Sequence, residues 1–85
     1  MALDLEIQVA GPASYEAALK DPATNRIVWR STPVRPRGER RGPVVPVGVP
    51  ADLLKPQHYA LDLFELHPGA TPEFVATYAF AVARR

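Results

Sequence analysis

Residues 50–63, Pro50-Ala51-Asp52-Leu53-Leu54-Lys55-Pro56-Gln57-His58-Tyr59-Ala60-Leu61-Asp62-Leu63, run a proline-bounded turn straight into an alternating segment. Tyr59, Leu61 and Leu63 share one parity and Ala60 and Asp62 the other, so a period of two places the large apolar groups on a single face. This predicts a central strand of an antiparallel β-sandwich, entered through a corner. The rest of the chain agrees. Leu3, Leu5, Ile7 and Val9 alternate with Asp4, Glu6 and Gln8 over residues 3–10, and Tyr15, Ala17 and Leu19 alternate with Ser14, Glu16, Ala18 and Lys20 beyond the Gly11-Pro12 break. The second segment also suits a helix by propensity, but its length and flanking turn residues favour a strand.

Asp21-Pro22-Ala23-Thr24-Asn25 reads as a turn, since proline presets φ and Asp21 and Asn25 are able to bond local backbone. The return strand, Arg26 to Ser31, is expected to turn Ile27 and Trp29 inward and Arg26, Val28 and Arg30 outward. Trp29, the single tryptophan, is expected to be the largest piece of the core. Thr32 to Gly42 shows no burial pattern and reads as a long exposed loop. Pro43 to Val49 resumes an extended pattern, and Pro46, lacking an N–H, predicts a sheet edge or a bulge. The apolar parity changes at Phe64 and Leu66, which predicts a bulge or the end of regular pairing near Leu63-Phe64. After a turn at residues 67–72, Phe74, Ala76, Tyr78, Phe80 and Val82 are expected on one face of a final strand, with Val75, Thr77, Ala79, Ala81 and Ala83 on the other. The expected fold is a single all-β domain, a sandwich of six to seven strands, because no segment is long and periodic enough for crossover helices.

Composition narrows the function. The chain has 85 residues, ten prolines, no cysteine and a formal net charge of +1. A domain this small buries only roughly 60 % of the surface of its unfolded chain, which leaves little core from which to build a catalytic pocket. Without cysteine there is no disulfide or thiolate metal site. No stretch of about 18 apolar residues predicts a membrane span, and the amino terminus lacks signal-peptide character and runs directly into strand pattern, so residue 1 reads as either an artificial start or the edge of an excised domain.

Leu54-Lys55-Pro56-Gln57-His58-Tyr59 resembles the tyrosine corner of immunoglobulin-like and fibronectin type III domains, with Gln57 where those domains usually carry glycine. A wider match runs through Tyr15, Leu19-Lys20-Asp21, Ile27-Val28-Trp29-Arg30-Ser31, Val49-Pro50-Ala51-Asp52-Leu53-Leu54, Tyr59-Ala60-Leu61 and Tyr78-Ala79-Phe80-Ala81-Val82. This order resembles the extracytoplasmic carboxy-terminal domain of bacterial membrane-anchored anti-sigma factors. The resemblance implies an immunoglobulin-like fold, an extracytoplasmic location, and a sensing or protein-interaction role in a regulator. The zinc-finger-type module and transmembrane helix of that family are absent from these residues.

Arg30, Arg35, Arg37, Arg40 and Arg41 against Glu39 give segment 30–41 a net charge of +4. Arg35, Arg37, Arg40 and Arg41 are therefore candidates for contact with an anion or an acidic partner, against the plainer reading of a solvated loop. No aromatic residue interleaves with them, which disfavours nucleic acid. His58 and His67 lack a partnering cysteine or histidine, and no metal is expected; a site would have to borrow Asp or Glu from elsewhere in the fold. No cofactor is expected. Asp62 and Glu65 lie near one strand end, but acid–base catalysis needs a cleft that raises one pKa, and Ser14 and Ser31 lack a nucleophile context, so the expectation is a non-enzyme. Tyr59, Trp29, Pro56 and Leu54 are assigned structural roles. Unpaired strand edges admit a homodimer. A carbohydrate- or small-ligand-binding accessory module is the alternative, and exposed aromatics on one face would favour it.

Overall fold

The computed structural model describes residues 1–8, 13–39 and 42–83. The described residues form seven strands: β1 (Ala2–Glu6), β2 (Ser14–Asp21), β3 (Arg26–Arg30), β4 (Arg37–Glu39), β5 (Gly42–Gly48), β6 (His58–Leu66) and β7 (Glu73–Ala81), with a short 3₁₀ turn at Ala51–Leu53. They make two antiparallel sheets, ordered β1-β5-β4 and β3-β2-β6-β7, packed face to face as a β-sandwich. In immunoglobulin lettering the strands run B, C, C′, D, E, F, G along the chain. The sheets are then B-E-D and C′-C-F-G, and among the described residues no strand occupies the A position beside β1.

Segment 50–63 holds the place its alternation dictates. β6 lies between β2 and β7, and Tyr59, Leu61 and Leu63 are buried at 3 %, 0 % and 0 % exposure. Tyr15, Ala17 and Leu19 of β2 lie beside them, and Leu5, Val45, Val47 and Val49 close the core from the other sheet. Asp21 builds the β2–β3 turn: its Oδ1 accepts the Ala23 N–H at 2.9 Å and its carbonyl accepts the Asn25 N–H at 2.7 Å. Asn25 takes φ 58°, a left-handed conformation that asparagine tolerates well.

Two bulges redirect residues whose parity misled the sequence reading. Leu19 pairs with Trp29 but Lys20 pairs with Ile27, so Val28 is an extra residue on β3. Ile27 thus shares the outward side with Lys20 and is 46 % exposed, not inward as expected. Trp29, expected as the largest piece of the core, is half-buried on a sheet-edge strand and packs against the core from its rim. Likewise Leu63 pairs with Ala76 but Phe64 with Phe74, which makes Val75 the extra residue on β7. The irregularity falls at the expected Leu63-Phe64 position. Its consequence was not foreseen: Phe74 shares the outer face with Phe64 and is 56 % exposed, while Ala76, Tyr78, Phe80 and Val82 face inward. The rings of Phe64 and Phe74 meet edge to face at 5.9 Å.

The segment 32–42, expected as a loop, contains structure. Val34 bridges to Tyr15 through a reciprocal pair of backbone bonds of 2.7 and 2.8 Å, and β4 pairs with the start of β5. β5 itself is the middle strand of its sheet, with a continuous register to β1, and not an edge or bulged strand. Pro46 is accommodated for a geometric reason. Val49 and Pro43 bond towards β1, so Pro46, of opposite parity, turns its nitrogen towards the β4 side. β4 reaches only Val44, and no ladder donor is missed. Val9, Ala10 and the Gly11-Pro12 break lie outside the described residues, as do Arg40, Arg41 and the Arg84-Arg85 end.

Candidate functional site

The corner residues do structural work. The Tyr59 hydroxyl accepts the Lys55 N–H at 2.9 Å, across the four-residue span that Pro56 turns, and its ring stacks on Phe80 at 5.8 Å. Leu54 packs against the core, while Pro56 is exposed. Replacing a hydroxyl that satisfies a partly buried N–H costs about 1 kcal/mol or more. Tyr59→Phe is therefore expected to lower Tm by several degrees in a domain of this size, read by thermal denaturation.

The arginine segment is not gathered into one patch among the described residues. Arg30 pairs with Glu16 at 3.2 Å, on the outer face of the four-stranded sheet. The Arg37 guanidinium reaches from β4 across β5 and donates to both Asp4 oxygens at 3.3 Å. Its arm thereby crosses the strand whose Val44 is its cross-strand partner, a common use of a long basic stem. Arg37 and Asp4 are half exposed, so the pair adds little stability. Arg35 is exposed and lines a different groove, with Ser14, Pro33, Leu66 and His67. Arg40 and Arg41, the other candidates for partner contact, lie outside the described residues.

Asp62 and Glu65 point to opposite faces of β6. Asp62 is 9 % exposed on the outer face, where it accepts the Thr77 hydroxyl at 2.7 Å and pairs with Lys20 at 3.1 Å. These contacts tie β2, β6 and β7 together across the sheet. Ser31 Oγ accepts the Ala17 N–H at 2.8 Å, and Ser14 opens β2, so neither serine is set against a base.

At the far end of the β6–β7 hairpin the structure assembles groups that looked isolated in the sequence. Glu65 and Glu73 are direct cross-strand partners. His67 Nε2 lies 2.7 Å from Glu65 Oε1 and 3.5 Å from Glu73 Oε2. The Tyr15 hydroxyl donates to the other oxygen, Glu65 Oε2, at 3.1 Å. The signal for this grouping was the Glu65-x-His67 spacing at a hairpin end, and the missing fact was the register that brings Glu73 opposite. Above it lies a groove of about 460 Å³ lined by Glu6, Ile7, Gln8, Tyr15, Glu65, Val75, Ala76 and Tyr78.

Two phenols in this groove titrate high. Burial first, then the hydrogen bond and negative charge of Glu65, raises the Tyr15 pKa above the usual value near 10. Burial and then Glu6 raise that of Tyr78, whose hydroxyl donates to the Glu6 carbonyl at 2.6 Å. A raised folded-state pKa means the folded state holds its proton longer than the unfolded state. The resulting stability is complete below pH 10 and is lost as the pH rises through the folded values. Tm is therefore expected to fall as the pH rises above 10, with a shallower fall in a Tyr15→Phe, Tyr78→Phe double variant.

The four sheet edges differ in how they are protected. β1 carries Asp4 and Glu6, β3 is bounded by Arg26 and Arg30, and β4 is only three residues long. β7 is the exception: nine residues, no proline, and a single charge, Glu73, at its start. Val82 donates its N–H to the Gln57 carbonyl, so Ala76, Tyr78 and Phe80 bond towards β6 while Thr77, Ala79 and Ala81 present backbone groups to the outer edge, which no other strand among the described residues pairs. Phe74 and Val75, at 56 % and 41 % exposure, flank this edge at one end. No helix among the described residues is long and apolar enough to cross a membrane. Comparison of the chain with protein-family models, with curated proteins and with solved structures finds no match.

Proposed function

We infer that the chain is a non-catalytic protein-interaction domain that takes a strand of a partner protein onto the β7 edge. The observation that carries this reading is the contrast among edges. Exposed edge strands pair with other chains unless charge, proline, shortness or a cover prevents it, and β1, β3 and β4 each have such a guard where, among the described residues, β7 has none along Phe74–Ala81. Strand addition draws affinity from the backbone and selectivity from alternate side chains, which suits a sandwich this small. The sequence resemblance supports a home for such a domain in the extracytoplasmic part of an anti-sigma regulator, with sensing or partner binding as its role. The carbohydrate-module alternative draws less support, because Tyr15 and Tyr59 are buried and Trp29, Tyr78 and Phe80 pack against the core, leaving Phe74, part of Phe64 and the exposed part of Trp29, which do not share one face.

A photoreactive residue at position 77, on the free edge, tests the interaction. Cross-links from this position that disappear in Ala79→Pro, with none from position 52 at the exposed corner, support it. Absence of cross-links at 77, or equal yields from both positions, removes it. A band at twice the chain mass would identify the partner as a second copy. The regulatory context is tested separately by the gene upstream of the codon for Met1. About 20 apolar residues behind a Cys/His module support the anchored regulator, and a native start at Met1 removes it.

A further inference from the structure

We propose that Glu65, His67 and Glu73 form a binding site for a divalent transition-metal cation, with Zn²⁺ as the reference ion. The three side chains offer one nitrogen and two carboxylate oxygens, all within 4.8 Å of one another. Imidazole with carboxylates is a borderline donor set that suits Zn²⁺ and its neighbours, and it leaves a fourth position for water.

Three features distinguish the cluster from scattered surface charge. Directly opposed like charges destabilise an antiparallel pair, yet Glu65 and Glu73 face each other at the hairpin end. A cation between them converts that repulsion into attraction. Second, Glu65 is oriented. The phenol of Tyr15, itself 3 % exposed, holds Oε2 and leaves Oε1 towards His67, the arrangement by which an outer hydrogen bond fixes a metal-binding carboxylate. Third, the separations fit. Bonds of roughly 2.0–2.2 Å to one ion place tetrahedral donor atoms roughly 3.3–3.6 Å apart. His67 and Glu73 are already 3.5 Å apart, and His67 and Glu65, at 2.7 Å, need to open by roughly 0.6–0.9 Å to reach that span. The β6–β7 ladder carries both carboxylates, and His67 opens the connecting turn, its carbonyl accepting the Ala70 N–H at 3.1 Å with Gly69 at φ 70° beyond. The site is solvent-accessible, with Glu73 72 % exposed, so ion entry needs no rearrangement.

The experiment is thermal denaturation of the full chain with ZnCl₂, together with NMR of the imidazole resonances. At a tenfold excess over Kd, Zn²⁺ is expected to raise Tm by roughly 5–10 °C and to shift the His67 ring signals while leaving those of His58 in place. His67→Ala and Glu73→Gln, both exposed positions that leave the core intact, are each expected to lose the rise. His58→Ala is expected to retain it. An unchanged Tm with unmoved His67 resonances overturns the proposal, as does a rise that survives both His67→Ala and Glu73→Gln. Equal protection by MgCl₂ overturns it too, since an all-oxygen ion does not use the imidazole.

Discussion

Leu61→Ala is expected to cost about 2–5 kcal/mol, the range for truncating a fully buried leucine that leaves a cavity. Leu61 is 0 % exposed at the centre of the central strand, with Leu19 and Tyr78 as its neighbours across the ladders on either side. Those neighbours are fixed by strands whose backbones are bonded to β6, so the hole cannot close by sliding one strand inward. The expected cost is large against the total. A domain of 85 residues is stable by only about 4–13 kcal/mol, so Tm is expected to fall by about 8 °C or more. Urea denaturation followed by circular dichroism measures it. A loss under 1 kcal/mol would mean that the two sheets do not meet over Leu61.

The same residue shows why so much of the fold was legible. Period-two alternation is a local property, and over residues 3–7, 15–19 and 59–63 it directly names the buried face, because nothing interrupts the pleat there. Where a bulge intervenes, parity fails beyond it. The sequence signalled the irregularity near Phe64 through its change of apolar parity, but it could not show that the extra residue sits on the partner strand at Val75, so Phe74 was assigned to the wrong face. At Val28 there was no signal, since Ile-Val-Trp is apolar on both parities. The candidate sites were less legible still. Arg37 finds Asp4, and Glu65 and His67 find Glu73, only through register and topology, across 33 residues in the first case and through a hairpin loop in the second. Pro46 misled for the same reason. Its missing donor rules out a bonded partner on one side only, and β4 ends before reaching that side.

Ala79→Pro and Phe80→Pro, adjacent substitutions on one strand, are expected to part company. The Ala79 N–H faces the free edge of β7, so proline there removes no intrachain bond. Tyr78, the residue before it, already has the extended backbone that a following proline requires. Stability is expected to change by about 1 kcal/mol or less. Partner pairing is expected to fall tenfold or more, because one edge donor is gone and the ring obstructs an approaching strand. Tenfold corresponds to about 1.4 kcal/mol, the order of a single backbone hydrogen bond with some steric cost. Phe80→Pro instead removes a donor that points to β6 and the ring that stacks on Tyr59, and is expected to cost about 3 kcal/mol or more. Thermal melts of the two variants, set beside cross-linking from position 77, separate the outcomes. A folded Ala79→Pro protein with undiminished cross-linking would show that partners do not dock by strand addition at β7. An unfolded Ala79→Pro protein beside a folded Phe80→Pro protein would show that the strand's hydrogen-bonding parity is reversed, with the free edge then presented by Tyr78 and Phe80.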